Sequence, residues 1–288
     1  MKIILDYGGA DQLTSQDGDM EIDFMVSGDV GGLDMPDVQS STFQKYGFDG
    51  EFLSTNFYGG RSLGFPITVV GSSAADYLSN RKLLFKALGI ARDSKQAAVT
   101  KTIYFQLNDG TEYVAEYVLG RCDLPHSNVT YATGQLILFC PDASLKSTPA
   151  VSTQITLREG GGLTIPFTIP FDILPQQGGD ATIINSGDMI YYPAITLSGP
   201  ATSPTISNST TGERIQFASI GLGTGETLTI DMKNRTIKKG TQNYMSFKVA
   251  GSEFWGLAPG SNIITFTDTA YDARASVSVE ARSAYSGV

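Results

Sequence analysis

The sequence predicts a mainly β fold built of antiparallel sheets, with a single α-helix. Three observations carry this prediction. Apolar and polar residues alternate with a period of two over most of the chain. Glycine supplies 32 of the 288 residues, roughly a ninth against a usual level of about 7%, and so provides turns for many short strands. Charged residues make up only 17%, well below the usual figure of about 25%, whereas exposed helix faces are written in Glu, Lys and Arg. The 10% aromatic content excludes a disordered chain, which could not bury enough apolar surface to offset its entropy.

The elements follow in order. Ile22, Phe24 and Val26 alternate with Asp23, Met25 and Ser27, which predicts a half-buried strand. Ser73 with Asp76 writes a capping-box-like start and Gly89 a stop, so the helix is expected over 74–88. Its buried stripe is expected to be Tyr77, Leu78, Leu84, Phe85 and Leu88, with Arg81 snorkelling through it to a carboxylate. Ile103, Phe105 and Leu107 precede Asn108-Asp109-Gly110, and Tyr113, Ala115 and Tyr117 follow, which predicts a hairpin. Leu136, Leu138 and Cys140 form a strand that Pro141-Asp142 ends.

From Pro141 to about Gln154 the composition shifts to Ser, Thr, Pro and Ala, which suits a boundary between domains 1–145 and 146–288. A stretch from Gly160 to Gly179 carries Pro166 and Pro170, which restrict it to an edge strand or an extended connection. Short strands are then expected around Ile195 and Leu197, Ile215 and Phe217, Leu228 and Ile230, Met245 to Val249, and Ile264 and Phe266. The clearest is the last, where Ala275, Val277, Val279 and Ala281 alternate with polar residues. Many short strands with turns between them predict an antiparallel sandwich.

A net charge of −9 without a dense basic run weighs against binding to nucleic-acid phosphates. The first residues carry too short an apolar stretch for a signal peptide, and no run reaches the length of a membrane span. Cys122 and Cys140 are read as free thiols kept in a reducing cytosol rather than as a disulfide, and the sequons at Asn128 and Asn208 then carry no sugar.

Candidate chemistry is sparse. His126, the single histidine, sits beside Pro125 in a polar turn without triad or ligand companions. Asp17, Asp19, Glu21 and Asp23 have the spacing of calcium-loop ligands, but Ile22 and Gly28 stand where that loop needs Gly and Glu. Spaced by two, the four carboxylates form either a solvated strand face or an acidic surface selected for its field. Gly221, Gly223 and Gly225 precede a strand and not a helix, so they are turn glycines and no phosphate cradle. Trp255, within Phe254-Trp255-Gly256-Leu257, is read as core, with stacking on a sugar as the alternative. No catalytic constellation, metal or cofactor is expected, so a structural or binding component is favoured over an enzyme.

The second half contains Asn185-Ser186-Gly187-Asp188, then Tyr192-Pro193 with Ile195, then Asn208 with Thr211-Gly212. Gly225-Glu226 with Leu228, Ile230 and Asp231 follows, then Arg235, Ile237 and Gly240, and the run closes with Trp255 to Ile264 through Pro259-Gly260-Ser261-Asn262. This order and spacing resembles the C-terminal domain of distal tail proteins of long, non-contractile-tailed (siphovirus-type) bacteriophages. The early acidic strand, Arg61 leading into Ile67 and Val69, the lone helix, the hairpin and the strand ending in Cys140-Pro141-Asp142 agree in outline. The resemblance implies an N-terminal β-sandwich, or belt, domain with one helix and a β-hairpin, and a C-terminal galectin-like antiparallel β-sandwich. It further implies a non-enzymatic hub at the distal tip of the virion tail, made in the host cytoplasm and assembled as a homohexameric ring around a DNA channel. Its implied partners are the tail tube protein, the tape-measure protein, the tail-associated lysin or fibre-hub protein, and receptor-binding proteins at the periphery. DNA would pass without specific binding, along a channel that Asp17, Asp19, Glu21 and Asp23 are expected to line. The alternative is a carbohydrate-binding module for host cell-wall glycans, resting on Trp255.

Overall fold

The computed structural model describes residues 2–6, 12–14, 24–26, 30–90, 99–107, 109–126, 128–157 and 178–288. The chain divides into two units, Met1–Thr148 together with Tyr285–Val288, and Pro149–Ala284. The last four residues thus belong to the first unit, although the sequence assigned them to the second.

In the first unit every strand pairing is antiparallel, and the long strand Glu112–Asp123 organises the rest. Its first half pairs with Lys101–Gln106 on one side and Leu145–Ser147 on the other. Its second half pairs with Tyr131–Cys140, and the register shifts between Leu119 and Arg121. A strand that changes partners at a bulge turns a corner between layers. Lys2–Asp6 and Gln12–Thr14 extend one layer, and Arg61–Val70 and Phe24–Val26 extend the other. Ile3, Leu5, Ile103, Phe105 and Tyr117 from the first layer meet Leu63, Phe65, Ile67, Val69, Leu136 and Leu138 from the second, all with almost no exposure. The hairpin expected at Asp109-Gly110 is present, with Gly110 at φ +88, a conformation costly for any residue carrying a Cβ.

The helix spans Ala74–Leu88, and Ser73 accepts from the Asp76 N–H as the sequence predicts. Gly89 does not adopt the left-handed stop, since its φ is −48. Instead Lys101 Nζ donates to the carbonyls of Ala87 (2.6 Å) and Gly89 (2.5 Å), placing a cation where the last carbonyls lack partners. The buried face is Tyr77, Asn80, Leu84, Ala87 and Leu88. Leu78 and Phe85, expected in the core, are instead 42% and 41% exposed. Both residues fit a helical period, but they lie two turns apart on a flank that the sheet does not reach. Arg81 finds the Leu124 carbonyl (2.8 Å) and the Tyr77 hydroxyl (3.2 Å) where a carboxylate was expected, with its guanidinium 5.1 Å from the Phe85 ring.

The second unit is an antiparallel sandwich. One sheet runs in the order Val151–Thr156, Ser276–Ala281, Ala194–Ser198, Thr227–Asp231, Thr236–Lys239, Gln242–Asn243. The other runs Gly179–Asn185, Gly260–Thr267, Thr205–Asn208, Glu213–Gln216. Ile195, Leu197, Leu228, Ile230, Val277 and Val279 face Ile206, Ile215, Ile264 and Phe266 across a closed core. The strand expected from Met245 to Val249 is instead a single 3-10 turn, Met245–Phe247, followed by a segment that covers an edge. The Val249 and Glu253 amides donate to the Gln216 and Arg214 carbonyls, blunting that edge strand. Pro166 and Pro170 lie outside the described residues.

Candidate functional site

The described residues assemble no catalytic constellation. No group of three or more His, Cys, Asp or Glu among them is placed to hold a metal ion. His126 lies edge-on to the Tyr77 ring, with centroids 5.5 Å apart. Cys122 and Cys140 are free. Cys122 stands opposite Leu136, so Cys140 lies about 13 Å further along that strand, beyond the roughly 7 Å Cα separation a disulfide tolerates. Burial pushes the Cys140 thiol up to about 12, against the opposing pull of nearby Arg61. The Gly223 N–H donates to Glu226 Oε2 at 2.7 Å, and Lys239 Nζ binds the same oxygen at 2.6 Å. That glycine-rich turn therefore spends its amide on the chain's own carboxylate.

Asp17, Asp19, Glu21 and Asp23 lie outside the described residues. Trp255 is 1% exposed within the second core, so neither face of its ring is open to a sugar in this structure.

The prominent surface feature is one that the sequence reading passed over. Val38–Gln44 and Glu51–Tyr58 form an antiparallel hairpin arm, and every residue of both strands is exposed. Among the described strands, neither pairs with any other. Phe43 stands opposite Phe52, and Lys45 Nζ lies 5.0 Å from the Phe52 ring centroid. At the tip, Tyr46 is 101% and Phe48 80% exposed. At the base, the Gly59 N–H donates to the Asp37 carbonyl at 2.8 Å and closes the arm. Phe43, Phe52 and Phe57 share one face, while Val38, Leu53 and Tyr58 share the other, because residues paired across strands point the same way. The signal was available in Gly47 and Asp49-Gly50 between two Ser/Thr-rich segments. It lacks the one-sided alternation of a core strand because both faces of the arm carry apolar residues.

The quoted motif residues of the second half have a structural explanation. Asn185, Asn208 and Asn262 are fully buried and together hold the loop 256–260. Asn185 Nδ2 donates to the Met189 (2.7 Å) and Leu257 (3.0 Å) carbonyls, and its Oδ1 accepts from the Gly187 and Ala284 amides. Asn208 Nδ2 donates to the Gly256 carbonyl and to Asn262 Oδ1. Asn262 Nδ2 in turn donates to the Ala258 and Gly260 carbonyls. A carboxamide has two donors and an acceptor oxygen, so each can tie irregular backbone that no sheet ladder serves.

Residues 186–282 match the family described as "Siphovirus-type tail component, C-terminal domain". The match lies within the second unit. Asn208 and Asn262 lie inside the matched segment and Asn185 immediately precedes it. Across nearly the whole chain the fold resembles that of SPP1 Dit (gp 19.1), described as a paradigm of the hub adsorption apparatus in phages infecting Gram-positive hosts. That likeness has a TM-score of 0.61 and 16% identity, and covers 90% of this chain and 93% of that one. Chains of the phage p2 baseplate in its activated conformation are also similar. The strontium form has TM-score 0.56 and the calcium form 0.53, each at 11% identity over 100% of this chain and 98% of that one. At such identities the likeness is one of fold. A search of curated protein sequences finds no match.

Proposed function

We propose that this chain is a non-enzymatic structural hub of a phage tail tip, located in the virion tail, which assembles with copies of itself into a closed hexameric ring around the path of the DNA. The observation that carries the reading is the exposed arm. At about 200 Å² per aromatic ring, Phe43, Tyr46, Phe48, Phe52, Phe57 and Tyr58 leave about 800 Å² uncovered, given their exposed fractions. That total, spread over both faces and the tip, equals one partner's share of a standard interface, about 800 Å². A two-stranded hairpin is marginal by itself in water, so the arm gains its stability where another surface covers it. In a ring each copy presents one surface to the next, and closure covers every arm at once. The tail component domain and the fold likeness to SPP1 Dit support the same setting.

In this reading the ring joins the tail tube and tape-measure proteins to a tail lysin or fibre hub, with receptor-binding proteins at its periphery. The protein is made in the host cytoplasm. Asp17, Asp19, Glu21 and Asp23, in a chain of net charge −9, line a wall that repels DNA instead of holding it. The test is light scattering after gel filtration, with negative-stain imaging. Six-fold rings with a central hole are expected. Replacing residues 38–58 by a short Gly-Ser turn should leave a folded monomer, because the Asp37–Gly59 hydrogen bond still closes the base. A wild-type protein that stays monomeric at high concentration overturns the proposal.

A further inference from the structure

The helix flank bearing Leu78 and Phe85 is another uncovered apolar surface among the described residues of the first unit, and it differs in charge from the arm. We infer that this flank is the seat for the hairpin arm of the neighbouring copy, an inference that rests on the self-assembly reading above. Three observations join the two surfaces.

The first is chemistry. Leu78, Phe85 and, just past the helix, Ile90 are exposed although apolar, while the arm offers Phe43, Phe52 and Phe57 on one face. The second is charge. The exposed side of the helix carries Lys82 and Lys86 beside the half-buried Arg81, and the helix's acidic residue, Asp76, is held in the first turn by the Ser72 amide and hydroxyl. The arm is acidic on balance, with Asp37 at its base and Asp49 and Glu51 near its tip against Lys45 alone. Complementary potentials set register and orientation in an interface. The third is length. Fifteen helical residues span about 22 Å, and an arm strand of eight residues spans about 27 Å, so the arm can lie along the whole helix. Within one copy the two do not meet, because both stay exposed along their length.

Crosslinking tests the pairing in the full-length protein with Cys122→Ser, since burial leaves Cys140 a poor nucleophile. One preparation carries Phe52→Cys, a second carries Phe85→Cys, and they are mixed, dissociated and reassembled. Oxidation should link the two kinds of chain to each other in rings, and a short bismaleimide should do the same. A charge swap is the independent measure. Glu51→Lys or Lys82→Glu alone should weaken assembly about tenfold, and the two together should restore it. Rings that form without a 52–85 crosslink, or a swap whose double variant is no better than its singles, overturn this seat while leaving the ring intact. Failure of the unmodified protein to form rings overturns the self-assembly reading itself.

Discussion

Asn185→Ala is the most informative single substitution in the second unit. Asn185 is fully buried and makes four bonds to backbone: two donated to the Met189 and Leu257 carbonyls, two accepted from the Gly187 and Ala284 amides. Truncation to Ala removes both ends of the carboxamide and with them all four bonds, although the Leu257 carbonyl still accepts from the Tyr191 N–H. The bonds to Leu257 and Ala284 lie in fully buried surroundings, and the other two are partly buried. An orphaned buried polar group costs about 1–3 kcal/mol. The Ala284 amide becomes such an orphan, while the Leu257 carbonyl keeps the Tyr191 N–H at 3.0 Å, so the loss is about 3 kcal/mol, with the partly wet pair rehydrating at little further cost. For a unit of this size that loss lowers Tm by on the order of 10 °C. The assay is guanidinium unfolding followed by Trp255 fluorescence, which reports the second core. Asn185→Asp serves as the control, since it keeps the acceptor but sets an oxygen against two carbonyls, and it should be destabilised as well. A loss below about 1 kcal/mol for the Ala variant would refute the assignment of this asparagine as the brace of the loop.

Arg61 is the counterpart in the first unit: buried, it donates to the carbonyls of Gly32, Asp34, Ala143 and Ser286. Arg61→Met should cost about 3 kcal/mol and expose the C-terminal tail to carboxypeptidase. Arg61→Lys should rescue less than half of that loss, because an ammonium lacks the planar fork. Trp255→Ala should cost about 3–5 kcal/mol as a core cavity, whereas Trp255→Phe should cost far less, measured by thermal unfolding with circular dichroism; equal losses would refute a purely packing role. The Asp272 carboxyl is held down at about 2, chiefly by the Arg274 side chain and then by its amide. A carboxyl depressed from 3.8 stabilises the fold above its unfolded value and loses that stabilisation as pH falls through about 2. An NMR titration of its carboxyl carbon should show that midpoint, and Arg274→Gln should move it up towards 3.8; an unmoved midpoint would refute the ion pair as its cause.

Local rules carried some elements fully. The helix bounds were legible because Ser73 caps the Asp76 amide within four residues of sequence, and the Asp109-Gly110 hairpin because its turn and register are set by adjacent residues. The strand from Ser276 to Ala281 was legible because one face is buried and the other is wet. Met245–Phe247 misled because an apolar segment that seals a sheet edge reads like a strand. The arm escapes this rule because alternation marks a surface with one buried face, and among the described residues nothing buries either face of the arm.

The sequence by itself determined the β class, the bounds of the helix and the Asp109-Gly110 hairpin, since these depend on composition, period and turn chemistry over short distances. Only the tertiary structure decided which apolar residues remain unburied. Leu78 and Leu84 look alike in a helical pattern, yet one is exposed and the other sealed. Burial depends on what packs against a residue from far along the chain, and for the arm and the helix flank the described residues supply no such neighbour.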